Sequence, residues 1–324
     1  MKIGLKRLVT ILVTAAIVVV PFVAIWQRQA IFDWWQLRNY VPSSQISALA
    51  KRTTLTEYGQ HLFYVYHAQL QDKEAFNNSC TFSEKSIVLG CYVDGEGIYI
   101  FNVTDERLNG VQEVTAAHEV LHAGYQRLSS SERERIDELT QQVLNGVTNK
   151  RILDSVEAYR DRDPLIVPNE LHSIIGTEVS DIPEELETYY KQYFADRQAV
   201  VAYAISYEKA FTEREQRAQQ IISQIETAKS DIDELNNRLS RTKSELQQEF
   251  AALQSQRSTA EAESFNARVR SYNAKVQTYN ADVQYSYTLI DRHNALVAEY
   301  NSVVLEEKEL IKAIDSRPET IDPQ

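Results

Sequence analysis

Glycine and proline are scarce in this sequence, with nine and seven among 324 residues. A turn-rich chain is not to be expected from so few breakers. With Ala, Glu, Gln, Ser and Asn abundant in the C-terminal half, the composition reads as mostly helical. A cationic surplus is also missing: 34 Lys and Arg stand against 46 Asp and Glu, for a formal net charge of −12. That argues against nucleic acid as the main partner, because phosphate backbones are bound by an excess of Lys and Arg. Cysteine is limited to Cys80 and Cys91. In an oxidising compartment the pair would close a small loop worth roughly 2–3 kcal/mol; in a cytosol it would be two ordinary thiols. What remains, 43% hydrophobic and 25% charged, is enough to fold as one large domain or two smaller ones.

The N-terminus sets the compartment. Lys2, Lys6 and Arg7 precede an uncharged run from Leu8 to Trp26. At ~1.5 Å per residue its helix would come close to the ~30 Å hydrocarbon thickness. Pro21 is tolerated in such a helix, and Trp26, Trp34 and Trp35 suit an aromatic belt at the far interface. The basic flank predicts a single-pass anchor with a cytoplasmic N-terminus and an extracytoplasmic remainder. A cleaved signal peptide is the competing expectation. Against it, the run exceeds the usual stretch of roughly 7–15 residues, and the best small-residue site, ending at Ala24, has Phe22 at its −3 place. Either way a Cys80–Cys91 disulfide is expected.

The apolar spacing of Thr56 to His67 predicts a helix, and Asp72 to Asn78 a second short one. Ser86 to Val93 and Ile98 to Val103 are rich in β-branched and aromatic residues around Asp94-Gly95-Glu96-Gly97, a β-hairpin signal. Helices are then expected over Val111 to Leu128, from Ser131 (with Glu134 completing a capping box) towards Val147, and over Ile152 to Arg160. A further helix should run from Glu170, capped by Asn169, to about Val179, and a long one from Pro183.

Beyond it the pattern becomes heptad. Ile225, Ile232, Leu239, Leu246 and Leu253 recur by sevens, beside Ala228 and Leu235. A second series, Val269, Val276, Val283, Ile290, Val297, Val304 and Ile311, runs beside Phe265, Tyr272, Tyr279 and Tyr300. Sustained heptads predict a coiled coil. The apolar-poor stretch 255–262 reads as the bend of an antiparallel hairpin; a continuous rod pairing with a coiled-coil partner or a second copy of the chain is the alternative. The seam tyrosines read as core, and His293 as a tolerated polar position. The expected domains are an anchor (1–27), a juxtamembrane connector (28–53), a folded domain (54–205), the coiled-coil hairpin (206–318) and a tail (319–324).

His118-Glu119-Val120-Leu121-His122 carries the chemistry. Residues four apart lie one turn apart on one helix face, so two imidazoles there can reach one Zn2+ at about 2.0–2.1 Å. Glu119 borders the metal without needing to ligate it and can take a proton from an activated water. Thr115, Ala116, Ala117, Val120, Leu121 and Ala123 flank the three with no other charge, and buried polar groups in such surroundings must be satisfied.

The signature Thr115-Ala-Ala-His118-Glu119-Val-Leu-His122-Ala resembles the zinc helix of the zincin metallopeptidases, over roughly residues 85–205. The metzincin branch would require Gly at 125 and His at 128, where this chain has Tyr125 and Leu128. Asn169-Glu170-Leu171-His172-Ser173 matches the form in which the gluzincin branch supplies a third ligand. The resemblance implies Glu170 as that ligand, with Glu178 and His172 as rivals. The interval from His122 is longer than in thermolysin-like enzymes, and Ile174 stands where the family usually has an Asp.

By this resemblance the fold is a mainly α, zincin-like α+β domain with a small β-hairpin. It would hold Zn2+ through His118, His122 and Glu170 and hydrolyse a protein or peptide substrate, with Glu119 as the base. Tyr125 and Tyr159 both stand as oxyanion donors. The competing reading is an anchored coiled-coil scaffold whose degenerate domain holds structural zinc, its fourth position closed by His172 or Glu178.

Overall fold

The structure, a computed structural model, describes residues 27–80, 87–258 and 260–317. The expected anchor over Leu8–Trp26 and the expected tail at 319–324 lie outside the described residues. Among the described residues no helix is long and apolar enough to cross a membrane. The chain is mainly helical, with one small sheet and a long C-terminal helix pair. It divides into two compact units: one up to Lys209 and again from Lys312, the other Ala210–Ile311.

The first unit opens with α1 (Arg28–Leu37), α2 (Ser44–Arg52) and α3 (Glu57–Val65), then β1 (Gln69–Gln71) and α4 (Lys73–Ser79). Side-chain caps explain the starts of three of these helices. Ser43, Thr56 and Asp72 accept from the backbone N–H of Ile46, Gly59 and Ala75 and satisfy donors that the first turn leaves free. Residues 28–53, expected as a connector, thus form two helices. Ile46, Leu49 and Ala50 recur at helical spacing and are buried in the core.

Strands β2 (Gly90–Val93) and β3 (Gly97–Phe101) form the expected antiparallel hairpin, with Cys91 opposite Tyr99. The third strand was not foreseen: β1 runs parallel to β3, Gln69 opposite Tyr99, giving the order β1-β3-β2. Gln69-Leu70-Gln71 is too short to show an alternation. Cys80 and Cys91 are joined in a disulfide, with Cα atoms 6.1 Å apart, which ties the end of α4 to β2.

Next come α5 (Val111–Gln126), α6 (Ser130–Leu144), α7 (Lys150–Arg162), α8 (Val167–Glu178), α9 (Glu184–Tyr190) and α10 (Arg197–Gln256). The capping box at α6 is Ser129 with Glu132, two residues before the expected pair at the same spacing. Pro168 sits in the first turn of α8, so that helix starts ahead of Asn169 instead of being capped by it. The long helix expected from Pro183 is broken after α9, where Phe194 bridges to Leu55. Helix α5 lies in the middle of the core, with Ala116, Ala117, Val120, Leu121 and Ala123 inaccessible. Gly176 of α8 faces it, and a Cβ there would stand 2.4 Å from Leu121 Cδ1. The missing side chain is what lets α8 lie this close to α5.

The second unit pairs α10 with α11 (Ala262–Ile314), and the bend falls in the expected stretch. The partners run in opposite directions: Arg217 with Glu299, Arg238 with Asp282, Lys275 with Glu249. Ala228, Leu235, Leu246 and Leu253 of α10 are buried as the heptads predict, and Ile221 is buried one heptad before Ala228. On α11 the seam departs from the literal repeat. Ile290 and Ile311 are exposed, and Leu289, Leu296 and Leu310 are buried one place earlier. Two successive steps of three, Val283 to Ser286 to Leu289, shift the register, as a stammer does in a coiled coil.

Asp33 is buried on α1 and fixes it to the C-terminal cap of α5. Both Asp33 oxygens accept from the Arg127 guanidinium at 2.8 Å, and His61 Nε2 lies 2.8 Å from one of them. Burial raises the Asp33 carboxyl, but Arg127 and His61 outweigh it and hold it below the usual carboxylate value. A group with a depressed folded pKa contributes stability above its unfolded pKa and loses it as pH falls through the folded one. Asp33→Ala should therefore destabilise the protein by about 3–5 kcal/mol at neutral pH, because Arg127 is left buried without a counter-charge. The deficit in urea unfolding should persist through the ordinary carboxylate range and close only at lower pH. An unchanged unfolding midpoint at neutral pH would refute this role.

Candidate metal centre

Three side chains from two helices converge beside the sheet. His118 and His122, one turn apart on α5, place their rings 4.7 Å apart at 80°. Glu170, in the first turn of α8, brings Oε2 to 3.6 Å from His118 Nε2 and 3.7 Å from His122 Nε2. One ligand atom from each of the three lies within 4.8 Å of the others, and among the described residues no other such group occurs. The side chains of His118, His122 and Glu170 retain 16%, 10% and 15% exposure, so the cluster is sheltered but reachable.

The contacts at 3.6 and 3.7 Å are too long for hydrogen bonds. Glu170 Oε2 is buried and has no hydrogen-bond partner. Two ligands at about 2.0–2.1 Å from a tetrahedral ion stand roughly 3.3–3.4 Å apart, close to what is observed. Two imidazole nitrogens and one carboxylate oxygen are also the donor set of a three-ligand zinc site. Orphaned oxygen, spacing and donor chemistry all fit a divalent cation.

The charges respond to one another. Burial works against a charge on His118, but the facing Glu170 and Glu119 carboxylates outweigh it and hold that imidazole up at about 9. Burial and the His118 charge hold His122 down at about 4. Burial raises Glu170, yet His118 and His122 leave it below its ordinary value.

Glu119 is buried beside the cluster on the next position of α5. Burial pushes its carboxyl up to about 8, against the His118 charge and a backbone hydrogen bond from Tyr92 of β2. It lies flat against that strand because position 90 is glycine: a Cβ there would stand 2.6 Å from Glu119 Oε1.

The two rivals for third ligand are engaged elsewhere. Glu178, two turns further along α8, pairs with Arg151 of α7. His172 lies 200° round the helix from Glu170, where it contacts Tyr125, Tyr190 and Tyr193 and meets the Tyr189 hydroxyl at 2.9 Å. Burial and the two other imidazoles hold it down at about 3. The oxyanion candidates also separate. The Tyr125 hydroxyl donates to Asp137 at 2.9 Å. Tyr159 on α7 is within the influence of the site, its phenol raised by burial and by the Glu170 and Glu119 charges.

Ser173 was passed over at the sequence level. One turn after Glu170, its Oγ stands 3.3 Å from His122 Nδ1, the ring nitrogen opposite the one that faces Glu170. The Asn-Glu-x-x-Ser spacing was the available signal. Gly90 and the Tyr92 backbone gave none, because their role appears only when β2 is packed on α5.

The purified full chain should bind one zinc. His118→Ala, His122→Ala and Glu170→Ala should each lose it in plasma mass spectrometry, and Glu178→Gln should retain it. Ser173→Ala, which frees the outer nitrogen of His122, should weaken zinc about 10–100-fold in a competition with a chromogenic chelator. Full zinc affinity in Glu170→Ala would contradict the ligand set. Comparisons with protein-family models, curated proteins and solved structures give no match, so these side chains and their geometry alone carry the reading.

Proposed function

We propose that this chain is a zinc-dependent hydrolase of the metallopeptidase type, anchored by its N-terminal apolar run with the catalytic unit outside the cytoplasm. The observation that carries the reading is the convergence of His118 Nε2, His122 Nε2 and the unpartnered Glu170 Oε2, with Glu119 beside them. The Cys80–Cys91 disulfide supports the compartment, since such bonds persist in oxidising surroundings.

His118, His122 and Glu170 hold the cation, and Ser173 orients the His122 ring. A zinc ion held by them would supply Lewis acidity towards a carbonyl and towards the attacking water. Glu119 accepts the proton of the attacking water and delivers it to the leaving amine. Burial holds this carboxyl up, and the charge of an adjacent cation would bring it down to the ionised form that a base needs. Among the described residues β2 is an edge strand next to α5, where an extended peptide would lie beside the cluster. Of the two oxyanion candidates Tyr159 is favoured, because Tyr125 is committed to Asp137.

Glu119→Gln should reduce hydrolysis of an unfolded protein substrate by about 10²–10⁴-fold and leave one zinc per chain. Retained activity would refute the base, and loss of metal would refute the separation of base from ligands.

A further inference from the structure

Helix α1 has two faces of opposite character. Inward, Phe32 meets Tyr66 with ring centroids 6.0 Å apart, Asp33 is held by Arg127, and the Gln36 carbonyl lies 3.1 Å from His67 Nε2. Outward, Arg28, Ile31, Trp34, Trp35 and Arg38 fall within about 120° of arc at 100° per residue. Ile31 is 50%, Trp34 66% and Trp35 55% exposed, and the Arg38 guanidinium stacks 5.5 Å over the Trp35 ring.

The chain has three tryptophans, and two of them stand in solvent on one helix face. Large apolar side chains grouped in this way mark an interaction surface. Its chemistry is mixed: indole rings flanked at both ends by arginine, whose stem is apolar and whose head is cationic. Tryptophan and arginine together suit the headgroup layer of a bilayer, where rings sit at the apolar boundary and guanidinium groups meet lipid phosphates.

Sequence position points to the same occupant. The uncharged run ends at Trp26, and only Gln27 separates it from α1. One residue spans at most about 3.6 Å. If the run lies in a bilayer, the first turn of α1 cannot leave its surface.

We propose that the Arg28, Ile31, Trp34, Trp35 and Arg38 face of α1 lies in the headgroup layer of the membrane that holds the anchor. Through the Asp33–Arg127 pair this face holds the cap of α5, the helix that carries His118 and His122, next to the bilayer. This deepens the proposed function and rests on its anchor, not on its hydrolytic chemistry.

The test uses the full chain with Trp26→Phe, which leaves Trp34 and Trp35 as its tryptophans. It is reconstituted in vesicles of phosphatidylcholine and phosphatidylglycerol, with unchanged zinc content as the control for folding. Lipids brominated near the headgroup should quench the emission strongly, and lipids brominated near the chain ends weakly. Chain that floats with vesicles yet keeps solvent-like, unquenched emission would overturn the membrane foot and leave the anchor standing. Blue-shifted but unquenched emission would mean that protein, such as a second copy, covers the face, and would overturn it as well. Chain that does not float at all would remove anchor and foot together. None of these outcomes touches the metal centre, whose zinc content is read separately.

Discussion

A carboxylate buried against two imidazoles, with one oxygen that nothing satisfies, is the constraint around which the first unit is arranged. Glu170 Oε2 is brought to His118 and His122 by the close packing of α8 on α5. That packing requires Gly176, since any side chain there would meet Leu121 and Tyr190. A buried charge left unpaired costs several kcal/mol. A divalent cation answers Glu170 and both rings at once. A proton on His118 answers only part of the charge and leaves the oxygen without a hydrogen bond.

The neighbouring residues make sense as support for that arrangement. Ser173 sits one turn from Glu170 on the same face of α8 and reaches the outer nitrogen of His122, so one short helix supplies both a ligand and the group that orients another. The disulfide ties β2 to α4, and β2 in turn carries Gly90 and the Tyr92 backbone against Glu119. Glu119 is therefore positioned by the sheet, and His118, His122 and Glu170 by the two helices.

What the sequence revealed follows from how local each signal was. His118, Glu119 and His122 were legible because their spacing is a property of one helix turn. The helices near Thr56 and Asp72, the β2–β3 hairpin and the α10 heptads were legible for the same reason. The strand β1 was not, because its three residues acquire meaning only beside β3. The seam of α11 was misplaced beyond Val283 because a literal Val-Ile repeat was read at constant register. A two-step shift of three residues brings Leu289, Leu296 and Leu310 inward instead. Residues 28–53, expected as a connector, carry two short helices. The buried Asp33 and Leu49 show that both helices belong to the folded unit.

The choice among Glu170, Glu178 and His172 needed tertiary structure, and its outcome also bears on the scaffold reading. A structural zinc site is closed by four protein ligands, whereas a catalytic one keeps a position open. The two residues that could have closed this site are committed: Glu178 to Arg151, and His172 to Tyr189 on the far face of α8. Among the described residues the cluster therefore offers three ligands, each with some exposure. To bring His172 to the cluster, α8 would have to turn by roughly half a revolution, burying Glu170 among Tyr125, Tyr190 and Tyr193. The same packing that brings Glu170 to the two imidazoles therefore keeps His172 away from them.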